Sequence, residues 1–272
     1  MSNLLPTISP DAVPANPPAL AAPAATRWKS WLILWTVILT LQAILLSNHA
    51  ALDSLLWRST RWFTGDQNTY RWAVYEQEHA ADVNPPFYAR VDPPFTRPQN
   101  GVPEARFYKR TEPLWRIFRD LGEPYMTVLI AVIVWIYMQP RVKSVLLLIA
   151  ATCSTGVLSW LIRATAGRYR PINIDGVNQW HAFRGFWETR DLSWPSGHAT
   201  LAFATAAALT YLSPRGKWLF LFIAAGCALA RVVMQAHFYS DIILGSALGW
   251  TFGWLTMQFL DRAIAPTAQQ VA

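Results

Sequence analysis

Charged residues are scarce in this sequence: Asp, Glu, Lys and Arg make up only 14% of its 272 residues, whereas 53% are hydrophobic. This apolar content exceeds what a soluble domain of this size normally carries. The composition therefore predicts an integral membrane protein. The net charge of +7 comes from basic residues spread over loops and helix ends, without a basic helix or an aromatic platform. This distribution argues against nucleic acid as a partner.

Cysteine is also rare, since the chain contains only Cys153 and Cys227. Both lie in apolar runs, where a thiol behaves as a small hydrophobic side chain. No spacing typical of zinc ligands occurs, and no glycine-rich phosphate loop of the Walker type is present. We therefore expect no disulfide, no metal site and no cofactor. The chain also lacks an internal repeat of the kind found in inverted-repeat transporters.

Six apolar runs predict the fold class, which is an all-α integral membrane protein built as a bundle of six transmembrane helices. The predicted spans are 31–47, about 124–138, 144–164, about 197–212, 218–236 and about 241–260. Each run is close to the ~20 residues that a bilayer crossing needs. A long extracytoplasmic insertion separates the first predicted helix from the second.

The predicted organisation has five parts. They are a disordered Pro/Ala-rich cytoplasmic tail at 1–26, a first transmembrane helix at 27–48, the insertion at 49–120, a core of five transmembrane helices at 121–262, and a cytoplasmic tail at 263–272. The first part has no basic start and no apolar core, so it is not predicted to be a signal peptide. Within the insertion, residues 52–58 have the apolar spacing of an amphipathic helix on the membrane surface.

Basic residues predict the orientation of these helices. Arg27 and Lys29 precede the first span and keep the amino terminus in the cytoplasm under the positive-inside rule. Six crossings then place the short basic turns at 140–143 and 214–217 in the cytoplasm as well, which agrees with the same rule. The outer face receives the ends of spans three and five and the starts of spans four and six. Three polar segments are therefore predicted to converge there.

These segments carry three constellations of reactive residues. They are Arg163 with Arg170-Pro171, then Pro195-Ser196-Gly197-His198, then Arg231 with His237 and Asp241. Guanidiniums offer planar donors that match phosphate oxygens and stay charged. Ser196 and Gly197 stand at the start of a predicted helix, where we expect their backbone N–H groups and the helix dipole to favour an anion.

The histidines are predicted to supply the chemistry. His237 and Asp241 are four residues apart, so the carboxylate can reach one imidazole nitrogen and leave the other free to attack. His198, on a different helix, is placed to protonate a leaving oxygen. Taken singly, each residue also has a structural interpretation: Ser196 is a good helix N-cap, for example, and Asp241 complements a helix dipole. The prediction of a site rests on the whole set.

Three motifs resemble the tripartite signature of the type 2 phosphatidic acid phosphatase superfamily: Arg163-x6-Arg170-Pro171, Pro195-Ser196-Gly197-His198 and Arg231-x5-His237-x3-Asp241. The resemblance covers about residues 120 to 260. It implies a six-helix bundle and metal-independent phosphoryl transfer, with His237 as the nucleophile, Asp241 orienting it and His198 as the general acid. The positions that match phosphate-binding residues are Arg163, Arg170, Ser196, Gly197 and Arg231.

The chain departs from the signature at two positions. Arg163 stands where the superfamily usually has lysine, which keeps the charge but changes the donor geometry. Ala230 stands where serine usually precedes the arginine of the last motif. We expect the first difference to tune phosphate geometry and the second to matter little.

The expected function is that of a membrane phosphatase which removes phosphate from a lipid phosphate or diphosphate at the outer face of the membrane. The expected location is the bacterial inner membrane, with the site on its periplasmic face. Undecaprenyl diphosphate, phosphatidylglycerophosphate, phosphatidic acid and lipid A all fit this chemistry. Two alternatives stay open, namely transfer of phosphate to a hydroxyl acceptor and lipid binding without catalysis. The sequence indicates no oligomeric state.

Overall fold

The structure, a computed structural model, describes residues 28–64, 106–171, 179–180, 183, 186, 189 and 192–264. Within these ranges every long element is a helix. In chain order the helices are α1 (Trp28–Thr64), α2 (Arg106–Asp120), α3 (Pro124–Tyr137), α4 (Arg141–Ala166), α5 (Gly197–Leu212), α6 (Lys217–Val233) and α7 (Tyr239–Ala263). A short 3₁₀ turn, Pro214–Gly216, joins α5 to α6. The predicted all-α class is confirmed, whereas the predictions for both tails and for 65–105 fall outside the described residues.

Three stretches among the described helices are long and apolar enough to cross a membrane: Lys29–Ser47, Arg141–Ala166 and Pro214–Val233. Helix α3 is equally apolar but has only 14 residues. The prediction of a membrane protein is therefore supported, and the count of six crossings stays a prediction.

Helix α1 differs from its prediction because it does not end at residue 48. It continues without a break to Thr64 and has 37 residues, or about 55 Å at 1.5 Å per residue. Residues 52–58 are helical, as expected, but they extend α1 and do not form a separate surface helix. Asp53 and Trp57 are fully buried within the protein, while Leu55 between them is exposed.

Helix α5 is the centre of the bundle. Eleven of its 16 residues are buried, including Ala199, Ala204 and Ala207. A helix that is apolar and covered on all sides belongs to an interior. Its small side chains let α4, α6 and α7 pack around it.

The contact between α5 and α7 depends on glycines that recur every fourth residue of α7. A Cβ atom added to Gly249 would lie 2.3 Å from the carbonyl oxygen of Thr200, and one added to Gly245 would lie 2.7 Å from that of Ser196. Small residues at this spacing let two helix backbones approach closely. The first turns of α5 and α7 are thereby held side by side.

The opposite end of α7 is fixed by a polar cluster. Lys143 Nζ lies 2.6 Å from Asp261 Oδ1, and the Tyr211 hydroxyl donates to Asp261 Oδ2 over 2.7 Å. These contacts tie the start of α4 and the end of α5 to the end of α7. The bundle is thus joined at both ends of its central pair of helices.

Candidate active site

Helix α4 ends at the site with Arg163 in its last turn. Gly167 terminates the helix in the left-handed region, with φ of 66°, which a residue with a side chain adopts only at a cost. The chain then turns back, and the backbone of Arg168 accepts a hydrogen bond from Ser193 N over 2.7 Å. This turn brings Arg170 towards the segment that leads into α5. Arg163 itself reaches the same segment, because its Nε donates to the Pro195 carbonyl over 3.3 Å.

Helix α5 begins at the site with the predicted Ser196-Gly197-His198 sequence. An added Cβ on Gly197 would lie 2.3 Å from Arg163 Nη2, so the guanidinium occupies the space that a side chain would fill. The prediction that the Ser196 N–H binds an anion is wrong in this geometry, because that group donates to the Asp241 carbonyl over 3.0 Å. The Ser196 hydroxyl is buried and has no hydrogen-bond partner among the described residues.

The seam between α6 and α7 carries the nucleophile candidate. Gln235 adopts a φ of 57°, which is uncommon for a non-glycine residue and turns the chain sharply after α6. His237 follows in the seam and is almost completely buried. Its Nδ1 lies 3.4 Å from Asp241 Oδ2, which also accepts a hydrogen bond of 2.8 Å from the Phe238 backbone. The 3.4 Å contact is long for a hydrogen bond, as is common in sites without substrate.

The three predicted arginines converge on the two histidines. Arg163, Arg170 and Arg231 each lie close enough to interact electrostatically with His198 and with His237. Arg231 projects from the last turn of α6 and is buried. The fold therefore brings the three sequence motifs to one place, at the ends of α4 and α6 and the starts of α5 and α7.

Burial lowers the pKa of His237 well below its ordinary value, and the neighbouring positive charges of Arg231, Arg170 and Arg163 lower it further. The imidazole is therefore neutral at neutral pH. With Asp241 facing Nδ1, the Nδ1–H tautomer is favoured and Nε2 carries the lone pair. This is the protonation state that a nucleophilic histidine needs.

Sequence reasoning missed a partner of the acid candidate. Glu123 Oε1 lies 2.9 Å from His198 Nε2. Glu123 directly precedes Pro124 at the start of α3, and Gly122 allows the close approach, since an added Cβ there would lie 2.7 Å from the His198 carbonyl oxygen. The Glu123-Pro124 pair indicates only where a helix begins. Nothing in the sequence predicts that Glu123 contacts His198.

A second omission is a buried ionic cluster behind Asp241. Arg168 is completely buried, and its guanidinium donates to Asp241 Oδ1 over 2.7 Å and to Asp53 Oδ2 over 2.9 Å. Arg168 lies between Arg163 and Arg170 in the first motif, so the sequence shows three arginines within eight residues without showing which one faces two carboxylates. Asp53 is in α1, more than a hundred residues away in the chain.

Comparison with known proteins shows what this part of the chain resembles. Residues 144–265 match the PAP2 superfamily. The matched segment begins in α4 and ends just after α7, so it contains all eight predicted site residues. Neither Asp53 nor Glu123 lies within it.

Two curated relatives resemble part of this chain. They are lipid A 1-phosphatases from Rhizobium etli and Rhizobium johnstonii, each 36% identical over 104 residues. The aligned part is 38% of this chain, 44% of the first relative and 42% of the second. The chain thus spans less than half the length of the curated relatives that it matches.

One solved structure shares the fold over most of the chain. It is a transmembrane PAP2-type phosphatidylglycerolphosphate phosphatase from Bacillus subtilis, with a TM-score of 0.50 and 15% identity. The alignment covers 86% of this chain and 96% of the other. The predicted family and the helical membrane fold are confirmed, while the roles of the individual site residues stay predictions.

Proposed function

We propose that this protein is a membrane-embedded, metal-independent phosphatase that hydrolyses a lipid phosphate or diphosphate at the outer face of the membrane. The observation that carries the proposal is the convergence of Arg163, Arg170 and Arg231 on two buried histidines. Three guanidiniums match the charge and donor geometry of a phosphoryl group. The described residues contain no group of three His, Cys, Asp or Glu side chains suited to holding a metal ion.

In the first step the phosphate is held by the guanidiniums, and the Ser196 hydroxyl supplies a further donor from the start of α5. His237 Nε2 attacks phosphorus, so a nitrogen–phosphorus bond forms as the bond from phosphorus to the lipid oxygen breaks. His198 gives its proton to that oxygen. The His237 imidazole is neutral before the attack and gains positive charge during it. Asp241 stabilises that charge.

In the second step water attacks the phosphohistidine. His198, now without its proton, accepts one from the water as the new phosphorus–oxygen bond forms. The nitrogen–phosphorus bond breaks and its electron pair returns to His237 Nε2. Inorganic phosphate then leaves, and both histidines are restored to their starting states.

A lipid substrate fits the position of the site. Two of the described stretches able to cross a membrane, Arg141–Ala166 and Pro214–Val233, end in the turns that carry Arg163 and Arg231. A headgroup at the membrane surface could therefore reach these arginines while its acyl chains stay in the bilayer. The named activities of the relatives, on lipid A and on phosphatidylglycerolphosphate, support testing these two lipids first.

The test is phosphate release by purified protein in detergent, with EDTA present. The substrates are lipid A, phosphatidylglycerophosphate, phosphatidic acid, undecaprenyl diphosphate and one soluble ester. We expect release from at least one lipid, unchanged by the chelator and abolished by His237→Ala. The control His79→Ala removes a histidine to which the sequence assigns no role and should keep wild-type activity.

Two results would contradict the proposal. Hydrolysis that survives His237→Ala would rule out this nucleophile. If no lipid releases inorganic phosphate and an added hydroxyl acceptor becomes phosphorylated, the protein is a phosphotransferase and not a hydrolase.

A further inference from the structure

One face of α1 packs against the seam that carries His237. Four residues of this face, in addition to Gln42, are Asp53, Trp57, Thr60 and Thr64. They follow one another at intervals of four, three and four, which places them in one row along a helix. The Trp57 ring lies 6.3 Å from that of Phe238, and the Thr64 hydroxyl accepts a hydrogen bond of 3.2 Å from Gln235 Nε2. Helix α1, which lies outside the PAP2 match, therefore contacts the seam on both sides of the nucleophile.

Asp53 makes the ionic contact of this face. Its Oδ1 accepts from the Ser240 backbone N–H over 3.2 Å, and its Oδ2 accepts from Arg168 Nη2 over 2.9 Å. The Ser240 hydroxyl also donates to Oδ2. Asp53 and Ser240 are completely buried, so water does not screen these interactions. The carboxylate is thus attached to the first turn of α7, one residue before Asp241.

Arg168 connects Asp53 to Asp241. Its Nη1 donates to Asp241 Oδ1 over 2.7 Å and to the Ser240 hydroxyl over 2.6 Å. Its guanidinium carbon lies 4.0 Å from the centre of the Phe238 ring, which fixes the plane of the group. Asp241 is left with Oδ2 to face His237 Nδ1. Asp241 is therefore itself held by the planar guanidinium of Arg168, which donates to both carboxylates.

The charges in this cluster suggest a purpose for the second carboxylate. Arg168 alone would neutralise Asp241 and weaken its attraction for a cationic imidazole. When both carboxylates are ionised, which Arg168 favours, the two of them around one guanidinium leave one net negative charge next to His237. That charge opposes the combined effect of Arg163, Arg170 and Arg231, which face His237 from the other elements and disfavour a positive imidazole.

We propose that Asp53 and Arg168 are positioning residues for the nucleophile, so that α1 completes the active site of the segment that matches the PAP2 superfamily. The inference rests on the proposed function for its chemical step. When the His237 Nε2–phosphorus bond forms and the phosphorus–lipid oxygen bond breaks, the imidazole gains positive charge and the cluster stabilises it. The proton for the leaving oxygen comes from His198, and none moves through Asp53 or Arg168.

The first experiment compares steady-state kinetics of the full-length wild type and Asp53→Asn. Asparagine keeps the size of the side chain and an oxygen acceptor for the Ser240 N–H but removes the charge. We expect kcat to fall about 10- to 100-fold, the usual cost of losing an outer hydrogen-bond partner of a functional histidine, with KM close to the wild-type value. The matched control is Asp261→Asn, which removes an ion-paired carboxylate from the far end of α7 and should leave kcat unchanged.

The second experiment does not depend on turnover. An NMR titration of ¹⁵N-histidine-labelled protein in detergent micelles gives the protonation midpoint of His237. The His237 signal is the one that is missing from the spectrum of His237→Ala. We expect the midpoint to move to lower pH in Asp53→Asn, because a negative charge has been removed. It should return towards the wild-type value in Asp53→Asn/Arg168→Met, which restores the net charge. In the single variant Arg168 keeps the carboxylate of Asp241 but loses that of Asp53, and the double variant removes this guanidinium, so it provides a second test if the single variant fails to fold.

The outcomes separate the inference from the proposed function. A wild type that releases no phosphate from any lipid overturns the function, while the His237 midpoints still decide whether the cluster acts on the nucleophile. An active wild type with unchanged kcat and midpoint in Asp53→Asn overturns the inference alone. The inference would also be overturned if kcat fell in Asp53→Asn without a shift of the His237 midpoint and fell further in the double variant. That pattern would show that the cluster only supports the structure.

Discussion

His237 is the residue whose environment leads to the most direct pH prediction. Because burial and three guanidiniums depress its pKa, the imidazole stays unprotonated and nucleophilic at mildly acidic pH. The acid limb of kcat/KM is therefore expected below about pH 6.5, the ordinary value for histidine, with activity lost as the pH falls through the lowered pKa. The measurement is the pH–rate profile, with the titration of the substrate phosphate determined separately. An acid limb above the ordinary value would contradict the assignment.

Gly197 gives a test of phosphate binding. In Gly197→Ala the new Cβ would meet Arg163 Nη2 at 2.3 Å, so the guanidinium must move away from the start of α5. We expect kcat/KM to fall about 10- to 100-fold, because a charge-assisted contact to phosphate is worth about 1.5–3 kcal/mol. Unfolding measurements on the same variant should show wild-type stability. A variant with unchanged kcat/KM would show that Arg163 does not hold the substrate.

Glu123 is expected to act through His198. Burial and the charges of Arg231, Arg170 and Arg163 disfavour a protonated His198, and the carboxylate 2.9 Å from Nε2 opposes them. Glu123→Gln should therefore weaken the acid that protonates the leaving oxygen. A lipid alkoxide needs this proton, whereas a nitrophenolate leaves without one. We therefore expect hydrolysis of the lipid to slow about 10-fold, a part of the ~10²–10⁴ that general acids contribute, and hydrolysis of p-nitrophenyl phosphate to change much less. Equal losses with both substrates would argue against this role.

The site residues that the sequence predicts lie within short motifs, whereas most of those it missed are far along the chain from their partners. His237 and Asp241 lie within one helical turn, and short motifs name Arg163, Ser196 and His198 by their spacing. Asp53 and Glu123 act on residues 188 and 75 positions away, and no local pattern records such a pairing. Arg168 was hidden for another reason, since its type matches its neighbours and only the fold shows that it faces two carboxylates.

At the scale of elements, the close contact of α5 with α7 predicts a stability difference between two glycines. In Gly249→Ala the added Cβ meets the Thr200 carbonyl oxygen at 2.3 Å, so two backbones must separate, at a cost of about 1–3 kcal/mol. In Gly156→Ala the added atom lies 3.4 Å from the nearest side chain, and the better helix propensity of alanine should make this control neutral or slightly stabilising. Thermal unfolding in detergent compares the two. Equal stabilities would show that α5 and α7 do not depend on the glycine contact.

Most helix limits could be predicted because apolar runs end at Pro, Gly or polar turns. Helix α5 begins and ends at the predicted residues, and α3 begins at the predicted Pro124. The prediction for α1 was too short because its apolar run stops at Ser47, where the sequence turns polar. A helix needs no apolar residues to continue, and the segment from 28 to 64 contains neither Gly nor Pro before Gly65. The polar half of α1 is held by its contacts with the seam, which only the tertiary structure reveals.

At the scale of the whole molecule, the position of the site relative to the membrane is open to a direct test. Asp241 and Asp261 are separated by 20 residues of one helix, about 30 Å, which equals the thickness of the hydrocarbon core. If α7 crosses the membrane as predicted, the site and the Lys143–Asp261 cluster lie near opposite surfaces. In a Cys153→Ser background, an impermeant thiol reagent applied to spheroplasts is expected to label Phe183→Cys, in the segment between α4 and α5, but to label Arg215→Cys only after permeabilisation. The reverse pattern would place the site in the cytoplasm.

The glycine contact between α5 and α7 also has a mechanical meaning. His198 stands in the first turn of α5 and Asp241 in the first turn of α7, and the two turns are joined by backbone atoms that touch and by the hydrogen bond from Ser196 N to the Asp241 carbonyl. The spacing of His198 and Asp241 is thus set by main chain, which is stiffer than side-chain packing. A bilayer that thickens or thins tilts helices at a modest cost. We expect the outer helices to take up this tilt, so that His198 and Asp241 keep their spacing as lipid composition varies.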